Sequence, residues 1–250
     1  MTLEAIIFDV DGTMADTEEA HRTAFNLAFE RHRLGWNWSR TDYRQLLDVT
    51  GGKERIASYI ATLPISAADR ARLLGLVPAL HAEKTRLYTA VVSDGGVALR
   101  DGVERLMQEA LAQGCRLAIA STTTAANINA LLSSTLGPRG IDLFSVIACG
   151  DLVRAKKPAP DIYTLTLTTL GLEPEQAVAI EDSANGLRSA TAAGLWTLVT
   201  PTFWTEGSDF SAAGLVLPSL ADLSFDGLAS AAQPATPLSP LQAAYRGISP

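Results

Sequence analysis

Residues 3–10 read LEAIIFDV, a nearly unbroken apolar run that ends in acid and leads into Asp11 and Gly12. Continuous hydrophobicity, as opposed to alternation, marks a strand covered on both faces, the situation in a parallel sheet. Similar runs recur at residues 116–120, 146–148, 177–180 and 195–199. Helix-length segments lie among them at 103–113, 161–170 and 185–193, stopped by Gly114, Gly171 and Gly194. Glycine just past a helix supplies the left-handed conformation that ends it. Strand and helix alternating in this way predict an α/β fold with a doubly wound, mostly parallel sheet.

Residues 16–96 break that rhythm, because no strand pattern occurs there. Residues 17–34 carry Ala20, Ala24, Leu27 and Ala28 at helical spacing, with Asp16 and Glu19 placed as a capping pair. Residues 41–48, 53–63 and 67–89 read as further helices. The expected organisation is an α/β core from 1–15 and 97–226, interrupted by an all-helical insert at 16–96. The joints fall near 14–17 and 93–99, the second containing Gly95 and Gly96 as a hinge. Residues 227–250, rich in Ala, Pro and Ser, are expected to be a weakly ordered tail.

Composition narrows the partners. A net charge of −7 over 250 residues argues against nucleic acid, which requires a basic face. No apolar stretch nears the roughly 18 residues of a membrane span, and the start lacks a basic, signal-like segment. A cytoplasmic protein, monomeric and without membrane partners, is therefore expected. Cys115 and Cys149 sit in or beside apolar runs and are expected to be buried thiols.

Four strand ends carry chemistry. Asp9 and Asp11 follow the first strand at its carboxyl end, where open α/β sheets bind ligands. Two residues apart in extended chain, they face one side, and Gly12 lets the backbone turn away. A second strand ends at Ser121, with Thr122, Thr123 and Thr124 opening a helix whose amides and hydroxyls suit phosphate oxygens. Lys156 and Lys157 precede the turn at Pro158, and a further strand ends in Glu181-Asp182. Taken singly, each reads equally well as a turn, a helix cap or solvated charge.

Together, DVDGT, the strand ending at Ser121, Lys157 before Pro158, and Glu181-Asp182 resemble the four motifs of the haloacid-dehalogenase-like superfamily, over roughly residues 1–223. The resemblance implies a phosphatase acting through an aspartyl-phosphate, with Asp9 as nucleophile and Asp11 as proton donor and acceptor. It implies Mg²⁺ held by Asp9, Asp182 and the backbone carbonyl of Asp11, with Glu181 in its inner or outer shell. Oxygen donors of this kind are what that ion requires. Lys157 and Ser121 would stabilise the transferring phosphoryl group. The helical insert is similar to the superfamily's small cap domain.

The stretches DVDGTMADTEEAHRTAFN, TGGKERI, HAEKTRLY, STTT, KKPAPDIY and EDSANGLRSA are similar to those of CbbY-type proteins. That resemblance implies a sugar-phosphate substrate, xylulose 1,5-bisphosphate, whose removal relieves Rubisco inhibition and serves the Calvin cycle. Substrate contacts are expected at Asp9, Glu18, Gly51, Gly52, Lys53, Arg55, His81, Lys84, Ser121, Thr122, Thr123 and Lys157. Two glycines and two cations at a helix start suit a second phosphate. His21 reads either as a link from hinge to site or as a packed histidine, and His32 has no assigned role. Asp101 replaces the proline of the family's LRPG, which loosens the expected hinge. The alternatives are a β-phosphoglucomutase-like isomerase and a non-catalytic protein that binds metal or phosphate.

Overall fold

The structure, a computed structural model, describes residues 2–233. Six strands form one sheet: β1 (Ala5–Phe8), β2 (Arg116–Ala120), β3 (Phe144–Ala148), β4 (Ala177–Glu181), β5 (Trp196–Val199) and β6 (Leu215–Val216). Their order is β3-β2-β1-β4-β5-β6, and all neighbours are parallel. Five strands occupy the apolar runs of the sequence. The two residues of β6 are too few to leave a hydropathy signal.

Side chains alternate across the sheet with period two. Ile6 and Phe8 of β1, Leu117 and Ile119 of β2, and Val178 and Ile180 of β4 enter one apolar cluster. Ala5 and Ile7, Ala118 and Ala120, and Ala177 and Ala179 enter another on the opposite face. Helices α5 (Val103–Ala112), α6 (Ala125–Leu136), α7 (Asp161–Leu170), α8 (Ala184–Ala192) and α9 (Phe225–Ala231) complete the core. Val103, Leu106 and Ile128 pack on the first face, whereas Ile162, Tyr163 and Leu167 pack on the second. Both faces are thus covered, which is why the strands read as unbroken apolar runs.

Helices α1 (Glu18–Arg31), α2 (Arg40–Leu46), α3 (Gly52–Thr62) and α4 (Ala67–Ser93) lie between β1 and α5. They enclose an aromatic cluster of Phe25, Phe29, Trp38 and Tyr43 with Ile56, Ile60 and Leu80. Three details differ from the sequence reading. Leu27 is 37% exposed, because α1 buries His21, Ala24, Phe25, Ala28 and Phe29, a face offset from the one expected. The expected cap by Asp16 and Glu19 is not formed: Thr17 takes the N-cap position without a side-chain capping bond, and Glu19 pairs with Arg22 and Arg40 instead. Residues 227–231, assigned to the tail, belong to α9, whose Phe225 and Leu228 join the core; the remaining tail, 234–250, lies outside the described residues.

Chain crossings between insert and core meet beside the carboxyl ends of the strands. Ala15 bridges both Asp11 and Leu99. Arg100, next in the second crossing, donates from its guanidinium to the carbonyls of Gly12, Thr200 (2.8 Å) and Pro201 (3.1 Å), while its own backbone N–H donates to Met14 (2.8 Å). This clamp is made by residue 100 and not by residue 101. Gly102 has φ +84°, and an added Cβ would overlap the Leu220 carbonyl, so glycine is required there. Cys115 and Cys149 are buried free thiols. Among the described residues no helix is long and apolar enough to cross a membrane.

Candidate active site

Strands β1 and β4 are adjacent, with Phe8 opposite Ile180, so Asp9, Glu181 and Asp182 emerge side by side at the same end of the sheet. All three are buried, and one oxygen from each lies within 4.8 Å of the others. Lys157, preceding α7, reaches into this group: its Nζ donates to Asp9 Oδ1 at 2.7 Å and to Glu181 Oε1 at 2.6 Å. Tyr163 Oη, from the first turn of α7, donates to the same Glu181 oxygen at 2.6 Å. Burial alone would lower the Lys157 pKa, but the two carboxylates outweigh it and keep the ammonium charged.

One lysine does not balance three buried acids. Burial raises the Asp9 carboxyl to about 7 against the pull of Lys157, and burial with the charges of Asp9 and Glu181 drives Asp182 well above the usual carboxylate range. A divalent cation would supply the missing positive charge, and the donor set is the hard-oxygen type that Mg²⁺ takes. The space is shaped for it as well. A Cβ on residue 12, where φ is +83°, would overlap the Asp182 carboxylate, so only glycine lets the first loop pass this close. Glu181 is turned partly away, with Oε1 engaged by Lys157 and Tyr163 and its carboxylate against the position a side chain at Gly186 would take. The acidic cluster therefore fits Mg²⁺, with Asp9 and Asp182 better placed than Glu181 to touch it.

Asp11 faces the helical insert. Its Oδ1 accepts from Thr17 Oγ1 at 2.6 Å and is paired with His21 Nε2 at 2.9 Å. Lys84 Nζ lies 2.6 Å from the other ring nitrogen, Nδ1, so Lys84 as donor leaves the ring proton on Nε2, facing Asp11. The imidazole stacks on Tyr88 at 4.0 Å between centroids. Burial opposes the charge on Asp11, yet His21, Thr17 and Lys84 overcome it and hold the carboxyl well below its ordinary range. Burial lowers Lys84 to about 8.

On the opposite wall, Ser121 ends β2 and Thr122 and Thr123 lead into α6. Thr124 caps that helix by accepting from the Asn127 N–H at 3.3 Å, and Asn127 Nδ2 donates to Thr123 Oγ1 at 2.9 Å. Insert residues approach from above. Glu18 Oε2 accepts from Tyr43 Oη at 2.7 Å, and Arg55 Nη1 donates to that phenol oxygen at 3.1 Å. Lys53 Nζ stands 3.5 Å from Asp151 Oδ1 of the core. The two glycines before Lys53 have separate reasons: Gly51 adopts φ +95°, whereas a Cβ on Gly52 would come within 2.7 Å of the His81 ring. Burial, then Lys84 and Lys53, lower His81 to about 4 and keep it neutral.

Of the site residues expected from sequence, all except Glu181 border one cavity of about 380 Å³ between the sheet end and the insert. Sequence reasoning weighed His21 without placing it among the site residues, and left out Tyr43, Tyr163, Arg100 and Trp204. Three of these lay in noted stretches: His21 in the one following DVDGT, Tyr163 at the end of KKPAPDIY, and Arg100 in the LRDG that stands for LRPG. Tyr43 and Trp204 are recognisable only through partners remote in sequence.

A model of the haloacid dehalogenase-like hydrolases matches residues 3–194. The chain belongs to the haloacid dehalogenase-like hydrolase family. Its relatives place it among the CbbY-type members: it is 49% identical to Protein CbbY of Rhodobacter capsulatus, over 88% of this chain and 95% of that protein. It is 48% identical to Protein CbbY of Cupriavidus necator, over 88% and 87%. The crystal structure of CbbY from Rhodobacter sphaeroides in complex with phosphate superposes with a TM-score of 0.83 at 45% identity, covering 91% of this chain and 99% of that one. A mutant of the same protein has been solved with xylulose 1,5-bisphosphate and matches equally well. A β-phosphoglucomutase from Clostridium difficile shares the fold, with a TM-score of 0.72 at 22% identity. The chain is accordingly an enzyme, a phosphatase of this family.

Proposed function

We propose that the enzyme hydrolyses a phosphate monoester of a small sugar, with xylulose 1,5-bisphosphate as its substrate, through an aspartyl-phosphate on Asp9. The observation that carries the reading is the two-sided cavity: a buried nucleophile, lysine and acid cluster on the sheet, faced by Lys53, Arg55, His81 and Lys84 from the helices. A phosphate at Asp9 leaves a sugar's far end directed at the insert, where cations suit a second phosphate. The complex of the Rhodobacter sphaeroides CbbY mutant with that sugar bisphosphate supports the choice.

An oxygen of Asp9 attacks phosphorus as the bond from phosphorus to the sugar oxygen breaks, and Asp11 gives that oxygen its proton. Asp11 then takes a proton from the water that hydrolyses the aspartyl-phosphate, which restores Asp9. Lys157 stays charged throughout and draws electron density from the phosphoryl oxygens, with the Ser121 hydroxyl beside it. Mg²⁺ held by Asp9, Asp182 and the Asp11 carbonyl, backed by Glu181, would supply further charge stabilisation and reduce repulsion between carboxylate and phosphate. Residues 16–96 act as the cap that shuts water out of this space.

Phosphate release from xylulose 1,5-bisphosphate and a panel of sugar monophosphates tests the reading. Turnover is expected to vanish in EDTA and return with excess Mg²⁺. Undiminished turnover after chelation would remove the metal from the scheme, and conversion between sugar phosphate isomers without phosphate release would favour a mutase. Lys53→Ala and Arg55→Ala are expected to lower kcat/KM for the bisphosphate on the order of 10 to 100-fold, since each removes a charge-assisted contact of about 1.5–3 kcal/mol. Monophosphates, lacking the distal group, should change far less. Equal losses on both substrates would assign these residues to cap closure.

A further inference from the structure

Beyond the two covalent crossings, a third connection joins the sheet domain to the insert. It is the segment of residues 200–209 that follows β5. Arg100 anchors its root at the carbonyls of Thr200 and Pro201. The next residues fold on themselves: Trp204 N–H donates to Thr202 Oγ1 at 3.1 Å, and Glu206 N–H to the Thr202 carbonyl at 2.8 Å. This turn lifts Trp204 off the sheet and places it in the aromatic cluster of the insert, where it is only 5% exposed. Its ring meets Tyr43 edge-on, with centroids 5.6 Å apart and planes at 89°. The insert reaches back: Arg40 lies 5.9 Å from the rings of Phe203 and Trp204, and Arg44 lies 5.5 Å from Phe203 and donates to the Glu206 carbonyl at 2.5 Å.

Tyr43 is the residue whose hydroxyl holds both Glu18 and Arg55 at the cavity. A side chain from the core therefore supports, through one ring contact, the two insert groups that would meet the sugar and its distal phosphate. We infer that Trp204 is a positioning residue for substrate specificity: docked against Tyr43, it fixes where the insert sits over the sheet and so where Glu18 and Arg55 stand relative to Asp9. The inference rests on the sugar-phosphate reading above. An edge-on aromatic pair contributes directionality beyond its buried area, so the contact sets an orientation as well as a separation. The segment's hydrogen bond to the acid motif lies at its root, from Thr200 N–H to the Glu181 carbonyl at 2.8 Å, so undocking the Trp204 ring is expected to leave Asp9, Lys157 and Asp182 in place.

Three variants, Trp204→Ala, Trp204→Phe and Tyr43→Phe, test this against xylulose 1,5-bisphosphate and p-nitrophenyl phosphate, with thermal melting on each sample. Trp204→Ala is expected to raise KM for the bisphosphate by about tenfold or more, with a smaller change in kcat and a several-fold smaller loss on p-nitrophenyl phosphate, whose ring and single phosphate make no use of Arg55. Trp204→Phe should recover most of the loss by keeping an edge-on ring. Tyr43→Phe keeps the ring contact but loses the hydroxyl, and should reproduce the bisphosphate defect with little change in melting temperature. Parallel losses on both substrates that track melting temperature would reduce Trp204 to a packing residue and overturn the inference, as would unchanged kinetics in Trp204→Ala. If the unaltered enzyme does not hydrolyse xylulose 1,5-bisphosphate, the substrate reading fails separately, and the same comparison is made on the sugar phosphate it turns over best.

Discussion

Replacing Asp9 by asparagine is expected to lower kcat by on the order of 10³-fold or more, since the covalent nucleophile is lost while the shape of the site is kept. The substitution is nearly isosteric, and Lys157 retains Glu181 as partner, so the fold should persist. Reduced negative charge beside Glu181 and Asp182 removes a repulsion, and melting temperature should hold or rise. Single-turnover trapping with acid quench separates the possibilities: the unaltered enzyme should show phosphate bound to protein, and Asp9→Asn none. Near-normal turnover in the variant would end the assignment of the nucleophile.

Asp11→Asn is the second large effect, about 10² to 10⁴-fold in turnover, the usual contribution of a positioned acid and base. The environment of Asp11 explains why the amide fails. Thr17 and His21 hold the carboxyl ionised, which suits its work as base toward water. Its work as acid requires a proton in the first step, and an anionic phosphate arriving beside it raises its proton affinity. An amide neither releases nor gains that proton. Magnesium activation should survive, because the Asp11 contact to the ion is expected from its backbone. Turnover and Mg²⁺ affinity measured on one sample decide the matter, and lost affinity with intact chemistry would contradict the role.

How much of this was legible in the sequence depends on how local each signal is. Asp9, Ser121 and Asp182 stand where unbroken apolar runs stop, and strand ends in a parallel sheet share one edge, so their convergence was readable. The α1 face was harder, because Ala20, Ala24, Leu27 and Ala28 form one acceptable stripe, while Phe25 and Phe29 form another that buries more area. Tertiary packing decided between stripes that spacing left equal. Thr17 similarly had two uses, as helix cap or as donor to Asp11, and the buried carboxylate took it. Tyr163 and Arg100 stood inside noted stretches, KKPAPDIY and LRDG, that gave no sign of what their side chains hold, and Trp204 carried no local mark at all. Each acts on a group more than fifteen residues away in sequence, and no window along the chain contains both partners.

The strand order has a consequence for how the molecule comes to exist. Strand β1 precedes the other five described strands in the chain and occupies an interior position, yet its neighbours begin at Arg116 and Ala177. Pairings so distant make closure slow and leave an apolar strand waiting for partners. Asp9 therefore lacks its partners in the acidic cluster until β4 is made and docks beside β1, and chemistry is expected to begin only when it brings Glu181 and Asp182 with it. A chain truncated before that strand should be inert and prone to aggregate, because it lacks both the strand that covers one edge of β1 and the two acids that complete the site.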